Sequence, residues 1–136
     1  MLATAGEVEK RGLKPLAKIV AWGHAGVEPE YMGEGPIKAV PIPLKRAGLT
    51  LADMDVIEAN EAFAAQALSV AKVLGFDREK LNPNGSGIAL GHPVGATGAI
   101  LTVKASYELE RIGGRYALIT MCIGGGQGIA LIIERV

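Results

Sequence analysis

Three residues with chemically useful side chains, Asn60, His92 and Cys122, stand where predicted strands give way to glycine or to a helix start. Ligands of α/β proteins bind at such strand ends, so these side chains are candidates to converge although they are distant in sequence. Each also has a structural interpretation: a helix N-cap for Asn60, a hydrogen-bonded loop histidine for His92 and a small buried apolar residue for Cys122. The hypothesis of one shared site depends on the three positions taken together.

His92 lies in a glycine- and proline-rich loop, Asn82–Gly98, which reads NPNGSGIALGHPVGATG. Glycine allows tight turns and close approach to a ligand, and Pro93 fixes its own φ, so we expect a bent loop that presents the imidazole. The apolar run beginning at Ala96 predicts a helix directly after the loop, where free amides and the helix dipole favour negative charge. The loop is therefore a candidate site for an anion or a developing oxyanion.

The elements that would position these residues alternate between strand and helix. Short apolar runs rich in β-branched residues predict strands, and longer runs that end at glycine predict helices. The predicted strands are Leu16–Trp22, Asp55–Ala59, Tyr116–Met121 and Ile129–Glu134, and the predicted helices are Thr4–Arg11, Pro41–Ala47, Glu61–Leu74 and Ala96–Ile112. Pro36, Pro41 and Pro43 confine any helix in that region to about Pro41–Ala47. Because the last two strands should form an antiparallel hairpin, the sequence predicts an α/β fold with a mixed sheet.

The predicted helix Glu61–Leu74, with Asn60 as its N-cap, is apolar around most of its circumference. Only Gln66, Ser69 and Lys72 form a polar stripe. A single sheet covers one face of a helix, so we expect more protein to pack on the other side. The pattern thus indicates that this chain is only part of a fold.

The composition excludes several classes of function. The 136 residues suffice for one domain with a sizeable core, and the formal net charge of zero argues against a nucleic-acid partner. No apolar run reaches the length of a membrane helix and no leader is visible, so we expect no membrane partner and a cytoplasmic location. Cys122 is the only cysteine and cannot form an internal disulfide, which agrees with a reducing compartment.

Two glycine-rich segments differ from the common phosphate-binding motifs. Gly124–Gly128 lacks the Lys-Ser/Thr pair of a P-loop and precedes a predicted strand, and Gly85–Leu90 lacks the third glycine of the dinucleotide fingerprint. The second histidine, His24, has no partner motif, and we interpret it as structural or exposed. One cysteine and two histidines at these spacings do not make a zinc site, so we expect no bound metal.

Three segments together resemble the C-terminal motifs of the thiolases, the acetyl-CoA acetyltransferases and 3-ketoacyl-CoA thiolases. They are NEAFA at Asn60–Ala64, GHPVGATG at Gly91–Gly98 and CIGGGQG at Cys122–Gly128, and the likeness runs from about Thr4 to the C-terminus. Related condensing enzymes of fatty-acid synthesis would show a second histidine in place of Asn60-Glu61, so the thiolases are favoured.

The resemblance also implies a fold and a domain division. It implies a thiolase-like C-terminal half, with a mixed sheet of about four to five strands and helices on both faces. Residues 1–13 would be a remnant or connecting helix, and residues 14–136 would be the C-terminal domain.

The resemblance implies a catalytic role for four residues. His92 would activate a nucleophilic thiol as a base and then donate to the thioester oxygen, while Asn60 would hold a water in the same oxyanion hole. Cys122 would be the acid/base that exchanges the α-proton, since a thiol with a reference pKa of about 8.5 can act in both directions near neutral pH. The backbone N–H of Gly124 would donate to a second oxyanion hole.

The implied substrate is an acyl-CoA, with coenzyme A as a second substrate and no tightly bound cofactor. Met32 and Phe63 resemble positions that line the acyl and pantetheine pocket. Thr4 falls where the family often has a serine that contacts the coenzyme A tail. These residues would bind substrate in a Claisen condensation or in the thiolysis of a 3-ketoacyl-CoA.

The nucleophile that the family uses is missing from this sequence. Thiolases form an acyl-enzyme on a second cysteine in their N-terminal half, and Cys122 is the only cysteine here. We therefore expect an N-terminal half on another chain or a missing segment, and a dimer or tetramer in the assembled enzyme. The alternative is a non-catalytic acyl-CoA-binding or assembly module that retains the fold.

Overall fold

A computed structural model describes residues 1–136 and contains a four-stranded mixed sheet of order β1-β4-β3-β2. The strands are β1 (Ala17–Gly26), β2 (Val56–Ala59), β3 (Tyr116–Ile123) and β4 (Gln127–Arg135). Strands β3 and β4 form an antiparallel hairpin, β1 pairs antiparallel with β4, and β2 pairs parallel with β3. The predicted hairpin and mixed sheet are confirmed.

Six helices connect and cover the strands: α1 (Ala5–Lys10), α2 (Gly35–Ala39), α3 (Pro41–Ala47), α4 (Ala64–Leu74), α5 (Gly87–Leu90) and α6 (Thr97–Ile112). Short 3-10 turns lie at Pro29–Glu34 and Leu51–Asp53. The expectation that the prolines exclude a helix before Pro41 was wrong. Pro36 occupies the first turn of α2, where its missing N–H is not needed by the helix.

Two apolar clusters fill the two faces of the sheet. One contains Leu118 and Ile132 from the strands together with side chains from α2, α3 and α4, which are Ala39, Leu44 and Val70. The other contains Ile119 and Ile133 together with Leu101, Ala105 and Leu109 of α6. Neighbouring residues along a strand point to opposite faces, which explains why consecutive residues belong to different clusters. Helices therefore cover both faces of the sheet, as predicted.

The start of α4 differs from the prediction, which placed Asn60 as the N-cap of a helix that begins at Glu61. The helix begins at Ala64, and its N-cap is Phe63, which makes no side-chain capping bond. The Asn60 N–H instead donates to the Thr120 carbonyl at 3.0 Å and continues the β2–β3 ladder. Pairing with β3 thus holds Asn60 in line with the strand and leaves its carboxamide available for other contacts.

Apolar side chains remain exposed on two surfaces. The α4 surface consists of Phe63, Leu68 and Val73, which are 64%, 59% and 63% exposed. The α6 surface consists of Ile100, Val103 and Tyr107 on the outer side of α6, with Trp22 and Ile129 on the uncovered part of the same sheet face. Scattered exposed apolar residues such as those of α4 are ordinary, whereas apolar side chains grouped on one face, as on the α6 surface, are typical of interaction surfaces.

The turn of the β3–β4 hairpin is held by close contact between backbones. Gly125 and Gly126 adopt positive φ, a conformation that favours glycine. A Cβ on Gly128 would lie 2.1 Å from the Gly35 carbonyl carbon, so α2 can approach β4 only because glycine is present. Gly128 is the ladder partner of Cys122, and this contact therefore fixes the strand beside the thiol.

Candidate functional site

Asn60 and His92 meet at the carboxyl end of β2. The Asn60 Nδ2 atom lies 3.4 Å from His92 Nε2, although the residues are 32 positions apart in the chain. Asn60 is 2% exposed, whereas His92 is partly exposed, so the imidazole is accessible from one side. The loop does present His92, as the glycines and Pro93 predicted.

The hydrogen bonds of His92 define which ring nitrogen carries the proton. Thr97 Oγ1 donates to the Pro93 carbonyl at 3.1 Å, so the same oxygen accepts from His92 Nδ1 at 2.7 Å. The Asn60 carboxamide then donates to Nε2, which must offer its lone pair. When the imidazole is neutral, this arrangement leaves Nε2 unprotonated, and an unprotonated ring nitrogen can act as a general base.

Thr97 was not among the residues selected from the sequence, and it gives the first testable prediction. Thr97→Val removes the acceptor for His92 Nδ1–H in a position that is 3% exposed, so we expect a loss of stability of about 1 kcal/mol. The imidazole should lose its preference for the Nδ1–H tautomer, which ¹⁵N NMR reports directly. His24, the only other histidine, is the internal control. Unchanged His92 nitrogen shifts would contradict the assignment.

A second group of residues holds the end of β2, and sequence reasoning missed it. The Asn82 carboxamide accepts from the Ala59 N–H at 2.8 Å and donates to the Ala59 carbonyl at 2.9 Å, so it pairs with the strand as a backbone would. Ser86 Oγ donates to the Ala59 carbonyl at 3.0 Å. The Glu61 carboxylate accepts from the Ile88 N–H at 3.1 Å and fixes the start of α5. These bonds join the loop to the residues on both sides of Asn60.

Cys122 lies at the same end of the sheet on the neighbouring strand. Because Ala59 pairs with Thr120, Cys122 extends two residues beyond the end of β2. A Cβ on Gly98 would lie 3.7 Å from Met121 Sδ, which places the start of α6 beside this part of β3. Cys122 is 9% exposed, and burial raises the pKa of its thiol. The thiol form therefore persists to higher pH than in an exposed cysteine.

The other residues predicted for the site are Gly124, Met32, Phe63 and Thr4, and they lie on separate elements. Gly124 is exposed in the hairpin turn, and its N–H has no acceptor within the chain. Met32 is half-buried in the 3-10 turn, which is joined to α4 because Gln66 Nε2 donates to the Gly33 carbonyl at 3.3 Å. Phe63 is exposed at the start of α4.

Thr4 is placed by α1 alone. Its Oγ1 caps the helix by accepting from the Glu7 N–H at 3.3 Å, and α1 buries none of its residues. The structure thus joins Asn60 to His92 directly and places Cys122 at the same end of the sheet, whereas Thr4 is held only within α1.

The structure shows no grouping of three or more His, Cys, Asp and Glu side chains that would hold a metal ion. None of its helices combines the length and the apolar character needed to cross a membrane.

Comparison with known proteins gives consistent matches. A family model described as thiolase, C-terminal domain, matches residues 13–135. Beta-ketothiolase BktB of Cupriavidus necator is 68% identical over 96% of this chain and 33% of its own length. The 3-oxoadipyl-CoA/3-oxo-5,6-dehydrosuberyl-CoA thiolase of Escherichia coli is 58% identical over 100% of this chain and 34% of its own length.

A solved structure gives the same result. Human mitochondrial 3-ketoacyl-CoA thiolase in complex with CoA is 49% identical and superposes with a TM-score of 0.97, covering 98% of this chain and 34% of that chain. The chain therefore spans about a third of the length of the relatives that it matches.

Proposed function

This chain belongs to the thiolase family as a C-terminal domain, and from that premise we propose that it supplies the acid–base and oxyanion-binding part of a thiolase active site. The reaction is acyl transfer between an acyl-CoA and CoA or acetyl-CoA, as a Claisen condensation or as thiolysis of a 3-ketoacyl-CoA. Coenzyme A is a substrate in this proposal and not a resident cofactor. The observation that carries the proposal is the contact between Asn60 Nδ2 and His92 Nε2, together with the contact between His92 Nδ1 and Thr97 Oγ1.

His92 acts first as a base and then as a donor. Its Nε2 takes the proton of an attacking thiol, which displaces the 3.4 Å hydrogen bond from Asn60 Nδ2, and the resulting imidazolium donates a hydrogen bond to the thioester oxygen as negative charge develops there. Asn60 contributes through its carboxamide oxygen. Asn60 Oδ1 is buried and has no hydrogen-bond partner within the chain. A buried acceptor of this kind is suited to hold an ordered water, which would act as a second donor to the same oxygen.

Cys122 exchanges the α-proton of the substrate. In condensation its thiolate takes a proton from the methyl group of acetyl-CoA, and the new carbanion attacks the acyl-enzyme carbonyl with release of the cysteine nucleophile. In thiolysis the Cys122 thiol returns that proton to the departing carbanion, and the pKa raised by burial keeps Cys122 in the protonated form that this step requires. The free N–H of Gly124 supports its assignment to the second oxyanion hole, since no side chain blocks its approach to substrate.

Substrate binding is assigned to three residues. Met32 and Phe63 lie on two elements that contact each other through Gln66 and Gly33, which supports a common pocket for the acyl and pantetheine groups. Phe63 is exposed and available to a ligand. Thr4 would contact the coenzyme A tail, which requires the ligand to reach α1.

The nucleophile must come from a segment outside these residues, because Cys122 is assigned to proton transfer and is the only cysteine. Relatives are about three times as long as this chain, and we propose that a segment equivalent to their remaining two thirds covers the α6 surface. That surface lies on the helix whose N-terminus carries the His92 loop, so its occupant would reach the site. We also propose a dimer or tetramer for the assembled enzyme.

The division of the chain is part of the same proposal. Residues 1–13 form a connecting segment, and residues 14–136 form the C-terminal domain. The absence of buried residues in α1 supports this division.

A chimaera tests the proposed function. The matching third of Cupriavidus necator BktB is replaced by this chain, and thiolysis of acetoacetyl-CoA is measured for the chimaera, for intact BktB and for this chain alone. We expect the chimaera to reach rates within about tenfold of BktB, and the chain alone to show no turnover. A chimaera that folds and binds acyl-CoA without turnover would instead indicate a binding or assembly module.

A further inference from the structure

An acidic and a basic side chain are buried together behind the site. The Glu58 side chain of β2 is fully buried, and its Oε2 lies 2.6 Å from Nζ of Lys104 on α6, whose side chain is 15% exposed. The Lys104 ammonium also donates to the Gly85 carbonyl. Burial raises the pKa of the Glu58 carboxyl above its ordinary value, and the hydrogen bond from Lys104 opposes this shift.

A contribution to stability does not explain why these two charged groups are buried. The second apolar cluster, with Val56 on β2 and Leu101 and Ala105 on α6, surrounds this layer of the fold, and Glu58 Oε1 has no hydrogen-bond partner. Replacing a buried ion pair by apolar side chains of similar volume is often neutral or stabilising. An apolar pair, however, could not bind the Gly85 carbonyl.

Gly85 belongs to a segment that is attached residue by residue to the elements around the site. Asn84 Nδ2 donates to Glu108 Oε2 on α6 at 2.8 Å, and hydrogen bonding from Arg111 lowers the pKa of Glu108 to about 2. Ser86 Oγ donates to the Ala59 carbonyl. Lys104 supplies the middle attachment, at Gly85.

The next residue links this segment to Asn60. A Cβ on Gly87 would lie 3.1 Å from Asn60 Oδ1 and 2.7 Å from the Glu61 carbonyl oxygen. The backbone at Gly87 therefore packs directly against Asn60 and Glu61. Gly87 begins α5, and the chain reaches His92 two residues after that helix ends. A displacement of Gly85 therefore moves the loop relative to Asn60.

We propose that Glu58 and Lys104 are positioning residues: Lys104, fixed by Glu58, holds Gly85 and thereby sets the distance between Asn60 and His92. The geometric part concerns this chain alone, and only its kinetic consequence rests on the proposed function. Neither residue forms a hydrogen bond with His92 or Cys122, so both act through the loop.

The test uses a double variant, Glu58→Gln with Lys104→Met, which removes both charges and avoids the unpaired buried charge that either change alone creates. In the 136-residue chain, NMR measures the contact between the Asn60 carboxamide protons and the His92 ring. We expect the double variant to melt within a few degrees of wild type and to lose this contact. The single variant Lys104→Arg, which retains charge and donors, should keep the contact, and Lys45→Met at an exposed position of α3 is the matched control.

Kinetics in the chimaera give the second readout. A misplaced base affects the chemical step, so we expect kcat for thiolysis to fall about ten- to hundredfold while KM changes less than about twofold. A double variant with an intact Asn60–His92 contact and unchanged kcat would overturn the proposal. The proposal would also be overturned if the Lys104→Arg variant remained fully folded but lost the Asn60–His92 contact. If the wild-type chimaera lacks turnover, the NMR result still decides the positioning role, and only the proposed function fails.

Discussion

His92→Ala in the chimaera is expected to lower kcat for acetoacetyl-CoA thiolysis by roughly 10³-fold or more. The change removes a general base, which contributes about 10²–10⁴-fold, and a donor to the developing oxyanion, which contributes about 10²–10³-fold. The two losses do not multiply fully, because one imidazole acts in both steps. His92→Gln, which retains a donor but no base, should recover part of the loss in the oxyanion steps only.

The chain provides its own control for this experiment. His24 lies on β1, where it pairs with Ile129 of β4 and its ring stacks against Trp22 at a centroid distance of 5.8 Å. His24→Ala should retain kcat within about twofold. Near-normal turnover in the His92 variant would favour the binding-module interpretation. Equal loss in the His24 variant would show that the assay reports folding.

Cys122→Ser is expected to separate the two halves of the reaction. Transfer of an acetyl group from acetyl-CoA to the nucleophile requires His92 and no α-proton exchange, so the initial release of CoA should persist. Condensation should fall by about 10²–10⁴-fold, because a serine hydroxyl is too weak an acid and base to exchange the α-proton. Rapid quench separates the initial acyl transfer from the steady-state rate.

The role of Cys122 as a base also predicts how the rate of condensation changes with pH. Burial raises the pKa of the Cys122 thiol, so the fraction of thiolate, the basic form, increases as pH rises through a range above the ordinary cysteine value. Condensation by the unmodified chimaera should therefore accelerate on the alkaline side, whereas the serine variant should lack this limb. Equal losses in both half-reactions would argue against a specific role in proton transfer.

The fold could be predicted because its determinants are local. Tyr116–Met121 and Ile129–Glu134 are apolar runs separated by a glycine turn, a pattern that favours an antiparallel hairpin. The start of α4 was mispredicted because a local rule for helix caps competes with pairing to β3. That pairing takes the Asn60 backbone into the sheet.

The sequence predicted the reactive residues of the site but not the residues that hold them in place. Asn60, His92 and Cys122 stood out by type and by the glycine around them, but Thr97 and Asn82 act through geometry that only the fold creates. Glu58 and Lys104 did carry a signal. Each is a single charge inside an apolar stretch, in the strand VIEA and on the buried side of α6, and such charges in a core require a partner.

The location of the acyl group tests the central claim most directly. The chimaera is incubated with acetyl-CoA, quenched in acid and digested, and the acetylated peptide is identified by mass spectrometry. We predict acetylation of a cysteine in the segment derived from BktB, with the Cys122 peptide unmodified. Acetyl transfer to Cys122 would contradict the account, because this chain would then carry the nucleophile itself.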